Sequence, residues 1–292
     1  MDLFIFGLGY SARATAKMVL DRNPASTVQG TVRDAAEVLP KSALSAHLFG
    51  TNELLRGLSE ATHVLISIPP DKHSNPTLIR YGDPTLVRYN GALNAMKYLR
   101  WIGYYSTVGV YGDFAGAWVD EAAETQPVNQ RSQIRISVEQ LWRDYAEKRG
   151  LPLCVLRLAG IYGPGRSAFD KLRDGTAKRI VKPGQVFNRI HVADIARVTA
   201  LAAERRLSGT FNLADDEPAT PQEVVSYASG LLGISPPREV AFETAAMTPM
   251  ARSFYADNKR VSNAAIKRAL GIELLYPNYR DGLAAILKDE TQ

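Results

Sequence analysis

The chain reads as an α/β protein, a doubly wound parallel sheet with a smaller mixed substrate lobe toward its C-terminal end. Three observations predict this. Short apolar runs alternate with helix-period segments through the first two-thirds of the sequence, the pattern of βαβ units on a parallel sheet. The string Gly7-Leu8-Gly9-Tyr10-Ser11-Ala12 follows the first apolar run directly and opens the first helix, the placement that a Rossmann-type fold requires. The length of 292 residues exceeds the roughly 100–200 of one domain, which suits one large unit carrying a smaller lobe.

The candidate strands are Leu3–Phe6, Thr27–Val32, His47–Phe49, His63–Ile68, Trp101–Ser106 and Leu153–Leu158, with helices expected at Ala12–Asp21, Glu53–Leu58, Thr85–Leu99 and Gln130–Lys148. Pro69-Pro70 ends the fourth strand, because neither proline can continue a central ladder. Ile134, Val138, Leu141, Trp142 and Tyr145 recur at three- and four-residue intervals, so one face of that helix is apolar. Leu86, Tyr89, Leu93, Met96 and Leu99 do the same in the helix before it. Both faces suit packing on the sheet, and the helices around 85–99 and 130–148 also offer a homodimer interface.

After Gly163-Pro164-Gly165 the pattern loosens. Regular structure returns at Asn188–Asp194 as a strand-to-helix passage, then at Thr210–Leu213 as a strand and Pro221–Leu232 as a helix, with Thr220 at its N-cap. The dinucleotide-binding domain is therefore assigned to 1–162 with 188–233 returning to the sheet. The smaller lobe takes 163–187 and 234–292.

In the glycine string, Gly7 permits a tight turn, Gly9 lets backbone approach a pyrophosphate, and small Ala12 allows close helix–strand packing. Tyr10 and Ser11 open the helix, whose free N–H groups and dipole suit an anion. Ile68 and Pro69, where the fourth strand gives way to a loop, are also assigned to the cofactor. The second strand ends Gly30-Thr31-Val32-Arg33-Asp34. Arg33 can form paired bonds to a ribose 2′-phosphate and stack on adenine, which favours NADP(H). Asp34 keeps NAD(H) open through the 2′-hydroxyl, and can equally cap the following turn.

Composition narrows the partners. The excess of 35 basic over 30 acidic residues is mild and spread along the chain, so no nucleic-acid partner is expected, and an anionic small molecule accounts for it as well. No run approaches the ~18 apolar residues of a membrane span, and Met1-Asp2-Leu3-Phe4 lacks signal-peptide features. The expectation is a cytoplasmic protein with no membrane partner. The single cysteine, Cys154, lies in the apolar run Leu153–Leu156 and reads as a core thiol. His191 stands without clustered Cys, Asp or Glu and reads as structural, so no metal is assigned.

Four further stretches carry a resemblance: Tyr105-Ser106-Thr107-Val108-Gly109-Val110-Tyr111-Gly112, Arg157-Leu158-Ala159-Gly160-Ile161-Tyr162-Gly163-Pro164-Gly165, Arg189–Asp194, and Phe211–Pro218. With the glycine string, their order and spacing resemble the extended short-chain dehydrogenase/reductases, the group of NAD-dependent epimerases and dehydratases. The likeness covers almost the whole chain. It implies that Thr107 is the hydroxyl that helps polarise a substrate carbonyl. Gly160 is counted with the cofactor positions, and it stands where sugar-nucleotide epimerases carry an asparagine, which speaks against a nucleotide-sugar.

The family's Tyr-x-x-x-Lys spacing falls on Arg131 and Arg135. A guanidinium offers no acceptor, so Arg131 cannot replace the tyrosine in proton transfer. Arg135 can still hydrogen-bond the nicotinamide ribose and depress a neighbouring phenol's pKa. This departure resembles the atypical branch of the superfamily. Tyr111 and Tyr162, at the carboxyl ends of strands, are the closest substitute proton donors by position, and each also suits half-buried packing. Arg166, Arg189 and Arg252 are candidate substrate contacts with Arg131, and Phe169 and Tyr255 a candidate apolar wall. Two functions follow: an oxidoreductase or epimerase of a small polar substrate, or a non-catalytic NADP(H)-sensing or regulatory protein.

Overall fold

The computed structural model describes residues 1–40, 42–70 and 82–291. Its main strands are β1 (Asp2–Phe6), β2 (Thr27–Val32), β3 (Leu44–Leu48), β4 (His63–Ile66), β5 (Trp101–Thr107), β6 (Leu153–Leu158) and β7 (Gly209–Leu213). They form one seven-stranded sheet in the order β7-β6-β5-β4-β1-β2-β3. The registers Phe4 to Gln29, Phe4 to Val64, Val28 to Leu44 and Val64 to Ile102 are all parallel. The strand order reverses at β1, the switch point at which doubly wound sheets bind ligands.

Strands covered by helices on both faces read as continuous apolar runs. Phe4, Ile5, Phe6, Val64, Leu65 and Ile66 are accordingly all fully buried. On one face they meet α2 (Leu55–Glu60), α3 (Pro84–Ala95) and α4 (Gln130–Arg149), through Leu58, Tyr89, Leu93, Val138 and Trp142. Cys154 is buried in β6, and burial pushes its thiol pKa up, as suits a core residue. Among the described residues, no helix is long and apolar enough to cross a membrane.

Two elements depart from the sequence expectation. The third strand covers Leu44–Leu48 in place of His47–Phe49, because Ser45 and Ala46 are small enough to be buried without making an apolar run. The helix expected over Thr85–Leu99 stops at Ala95, and Met96 and Leu99 reach the same core from the bend that follows. Its start is set by Asp83, whose carboxylate accepts from the Thr85 and Leu86 amides. In α4, Asn129 accepts from Ser132 N at one end and Gly150 adopts φ 61° at the other, so both ends are capped.

The chain divides into two compact units: Met1–Thr107, Asn129–Arg157 and Ile195–Phe211 form the first, and Val108–Val128, Leu158–Asp194 and Asn212–Gln292 the second. Residues 108–128, 158–162, 188–194 and 212–233 thus group with the second unit. The second unit has its own core of Tyr162, Phe169, Val224, Ala228, Tyr279, Leu283 and Ile286. It also contains parallel strand pairs, including Gly160–Tyr162 with Arg189–His191.

Candidate functional site

The glycine turn follows β1. Gly7 has φ 93°, where side chains are disfavoured, and a Cβ there would lie 2.8 Å from Ile68 Cγ1. Its N–H donates to Thr31 Oγ1 at 2.8 Å, and Leu8 N–H to Thr31 O at 2.7 Å, so the turn is tied to β2. Gly9 is different. Its backbone, φ −81° and ψ −168°, is open to any residue, and a Cβ would meet nothing within 4 Å. The chain's own packing does not require glycine at position 9.

Gly9 is the N-cap of α1 (Tyr10–Arg22), with no side chain capping the helix and no acidic residue in its first turn. The result is bare, exposed backbone at the positive end of a helix, a ready anion site. Ala12 is fully buried and Ser11 nearly so, consistent with close packing of the helix on the sheet. Ile68 rests beside Gly7, and its N–H and that of Ser67 both donate to Phe6 O. Pro69 next to it is exposed. These residues fit a dinucleotide's pyrophosphate: no contact within the chain requires glycine at position 9, and its backbone is open to an approaching ligand.

At the end of β2, Thr31 is buried and Arg33 exposed. Asp34 accepts from Ala36 N at 2.9 Å and caps the short turn Ala35–Glu37, so of its two readings the structure realises capping. Glu37 in that turn pairs with Arg13 of α1 at 3.3 Å.

Where β5 meets α4, Thr107 ends the strand half-buried. Arg131 is exposed in the first turn of α4, and the four-residue spacing puts Arg135 on the same face. Arg135 Nη1 donates to Tyr105 O at 2.8 Å and to the Tyr104 hydroxyl at 3.1 Å. This fixes the guanidinium by one nitrogen.

Burial raises the pKa of Tyr104 despite Arg135 opposing it, and pushes Tyr105 up to about 12 against its bonds to Thr15 and Thr199. Both phenols are therefore neutral at working pH. One turn after Arg135, Glu139 is buried at 2% exposure. It accepts from Ser106 Oγ at 2.5 Å, from Arg157 at 2.9 and 3.2 Å, and from Arg143 at 3.0 Å. Glu139 is not evident as a functional position from the sequence.

In the second unit several expectations are corrected. Tyr111 is fully buried and its hydroxyl donates to Asn212 Oδ1 at 2.8 Å, so the phenol fastens a turn inside this unit and is not presented as a proton donor. Tyr162 is likewise buried, bonded to Asn278 O at 3.3 Å, with its pKa raised by burial. Phe169 belongs to the core and Tyr255 packs edge-on against Phe187, so neither forms an exposed wall. Arg189 donates to the carbonyls of Phe187 and Ala219, and Arg252 to that of Ala245, so each braces local backbone. Gly160 opens the strand paired with Arg189–His191, and a Cβ there would lie 3.1 Å from Asn188 O. His191 accepts from Ala193 N through Nδ1 and packs on Tyr162 and Tyr276, a structural role.

Asp215 is buried, and among the described residues neither carboxylate oxygen has a side-chain hydrogen-bond partner. Burial pushes its pKa up to about 8, against the pull of Arg189, and pushes His191 down to about 4. The two act with opposite sign. The raised carboxyl makes folding less favourable as pH climbs from the ordinary carboxylate range toward 8, whereas His191 opposes folding as pH falls from its ordinary value toward 4. Asp215→Asn resembles the neutral acid. It should raise stability more near about pH 8.5 than near about pH 5, by roughly 1–4 kcal/mol, since the cost of ionising the buried acid grows by about 1.4 kcal/mol per pH unit between its unfolded and folded values. Urea unfolding at the two pH values checks this, and an equal effect at both would contradict it.

Comparison with known proteins places this geometry. The sequence model of the NAD-dependent epimerase/dehydratase family matches residues 90–214. Over that segment the chain is similar to the NAD-dependent epimerase/dehydratase family. A solved structure of a functionally unknown conserved protein from Silicibacter pomeroyi DSS is 43% identical, covers 99% of both chains and has a TM-score of 0.83. Protein YeeZ of Escherichia coli (strain K12) is 26% identical over 94% of this chain and 96% of its own length. Human epimerase family protein SDR39U1 (isoform 2), solved with NADPH, shares the fold at 16% identity and TM-score 0.73, over 98% of this chain and 99% of its own. The seven-stranded sheet agrees with the fold of these solved structures.

Proposed function

We propose that the first unit binds a nicotinamide dinucleotide on Gly7–Ala12, NADP(H) in preference to NAD(H), and that the protein is an oxidoreductase or epimerase of a small polar substrate. The observation that carries this reading is Gly9, bare backbone in an unstrained conformation with open space where a side chain would stand. Arg33, a cation exposed at the end of β2, supports the phosphorylated cofactor. That a fold relative was solved with NADPH is consistent with this, although other fold relatives were solved with NAD.

Gly7, Gly9, Tyr10, Ser11 and Ala12 would hold the pyrophosphate, with Ile68 and Pro69 beside it and Arg33 at the adenosine ribose. Bound there, a nicotinamide supplies a hydride donor or acceptor. Arg135, held by Nη1, has Nε and Nη2 to offer a ribose hydroxyl. Thr107 would orient a substrate carbonyl. Proton transfer falls to neither Arg131 nor Tyr111, the first for lack of an acceptor and the second because its hydroxyl is committed to Asn212. That pair of observations favours the second reading, a nucleotide-sensing protein without turnover.

Hydride transfer from NADPH to a panel of small carbonyl compounds, with binding measured in parallel, separates the two readings. Turnover of the purified protein supports the enzyme, and binding without turnover across the panel supports the sensor. In either case Arg33→Ala should lower NADPH affinity about tenfold or more, the worth of a charge-assisted pair, and leave NADH affinity nearly unchanged. Equal losses for both cofactors would remove Arg33 from the 2′-phosphate.

A further inference from the structure

The donors of an arginine lie in one plane, and the fold uses only one nitrogen of Arg135. Nη1 donates to the Tyr105 carbonyl at 2.8 Å and to the Tyr104 hydroxyl at 3.1 Å. Both acceptors belong to β5, and Arg135 Cζ lies 5.7 Å from the Tyr104 ring centroid. Because a guanidinium is planar and rigid, two bonds from one nitrogen set the direction of the others. Nε and Nη2 remain as a parallel pair of donors on a half-buried side chain, with no hydrogen bond of their own among the described residues.

The Tyr104 ring is fully buried, in the cluster that also holds Val138 and Trp142 of α4. A phenylalanine would fill the same apolar space. What tyrosine adds is a hydroxyl, and among the described residues its one hydrogen bond comes from Arg135. A hydroxyl taken into a core costs free energy unless it is bonded, so the phenol and the guanidinium are matched to each other. Burial keeps the phenol neutral against the pull of Arg135, and its oxygen serves as a plain acceptor.

We infer that Tyr104 is a positioning residue: with the Tyr105 carbonyl it holds Arg135 by Nη1, and so presents the Nε–Nη2 edge to the vicinal hydroxyls of the nicotinamide ribose. A lysine at position 135 would have no fork to orient, being a point charge with rotating donors. The inference rests on the dinucleotide reading above and adds to it the residue that lets an arginine serve at this position.

Titration calorimetry on the full chain compares NADPH with adenosine 2′,5′-bisphosphate, which has no nicotinamide ribose. The proteins are the parent, Tyr104→Phe, Arg135→Lys and the double variant. Tyr104→Phe should weaken NADPH about fivefold or more, within the coupling usual in one hydrogen-bond network, and leave the bisphosphate within about twofold. In the Arg135→Lys background the same change should move NADPH by less than about twofold. Tyr104→Phe should still fold, its melting temperature lowered by roughly 2–4 °C for one lost hydrogen bond. Equal losses for the two ligands, equal losses in the two backgrounds, or an unchanged NADPH affinity in Tyr104→Phe would each overturn the role of Tyr104. In a parent that binds NADPH, those results leave the dinucleotide reading standing. A parent that does not bind NADPH removes both.

Discussion

Gly9→Val should leave the fold intact and abolish dinucleotide binding. The backbone at position 9 is extended, and a Cβ there meets nothing within 4 Å, so the substitution introduces neither strain nor overlap. No side-chain cap is lost, and a poor N-cap residue in place of glycine costs roughly 1 kcal/mol or less, a shift of about 2–4 °C in melting temperature. The branched side chain would instead fill the approach to the first turn of α1, where a pyrophosphate would need bare backbone. Affinity for NADPH should fall by about 100-fold or more, some 3 kcal/mol, with circular dichroism unchanged. Gly7→Val is the less informative variant, since φ 93° and the 2.8 Å approach to Ile68 Cγ1 would damage the fold itself. Undiminished binding by a folded Gly9→Val protein would place the dinucleotide elsewhere.

The second large effect is on stability. Glu139→Ala removes the carboxylate that joins Ser106 of β5, Arg157 of β6 and Arg143 of α4, and so takes the two-bond pairing with Glu139 from an Arg157 that is 6% exposed. Breaking one side of a buried pair costs about 3–5 kcal/mol. Replacing both partners by apolar residues of similar volume is often near neutral, so Glu139→Leu with Arg157→Met should recover most of the loss. Urea unfolding of the single and double variants measures both. The network also spans the elements that hold Thr107 and Arg135. A single variant as stable as the parent would show that Glu139 does not brace them.

The glycine turn was legible because its information is local: a strand, two glycines and a small residue at fixed spacing suffice to place it on β1 and α1. The alternation of apolar runs similarly located five of the six strands predicted before residue 160, and the third failed where Ser45 and Ala46 bury without looking apolar. The spacing between Arg131 and Arg135 was legible in the same way. What the Tyr111 hydroxyl does was not, because it depends on Asn212, far along the chain. Burial of Glu139 required partners from two strands, and a glutamate in a helix reads as solvated until those partners are known. Phe169 and Tyr255 were misread as a surface wall because an aromatic side chain carries no mark of which neighbours will cover it.

The most direct test of the central claim is melting temperature as a function of concentration for NADPH, NADP, NADH and NAD. A ligand that binds only the folded state at about 100 times its Kd adds roughly 2.7 kcal/mol. NADPH and NADP should give a concentration-dependent rise, and NADH and NAD a smaller one at equal concentration. No rise with any of the four at millimolar concentration would contradict it.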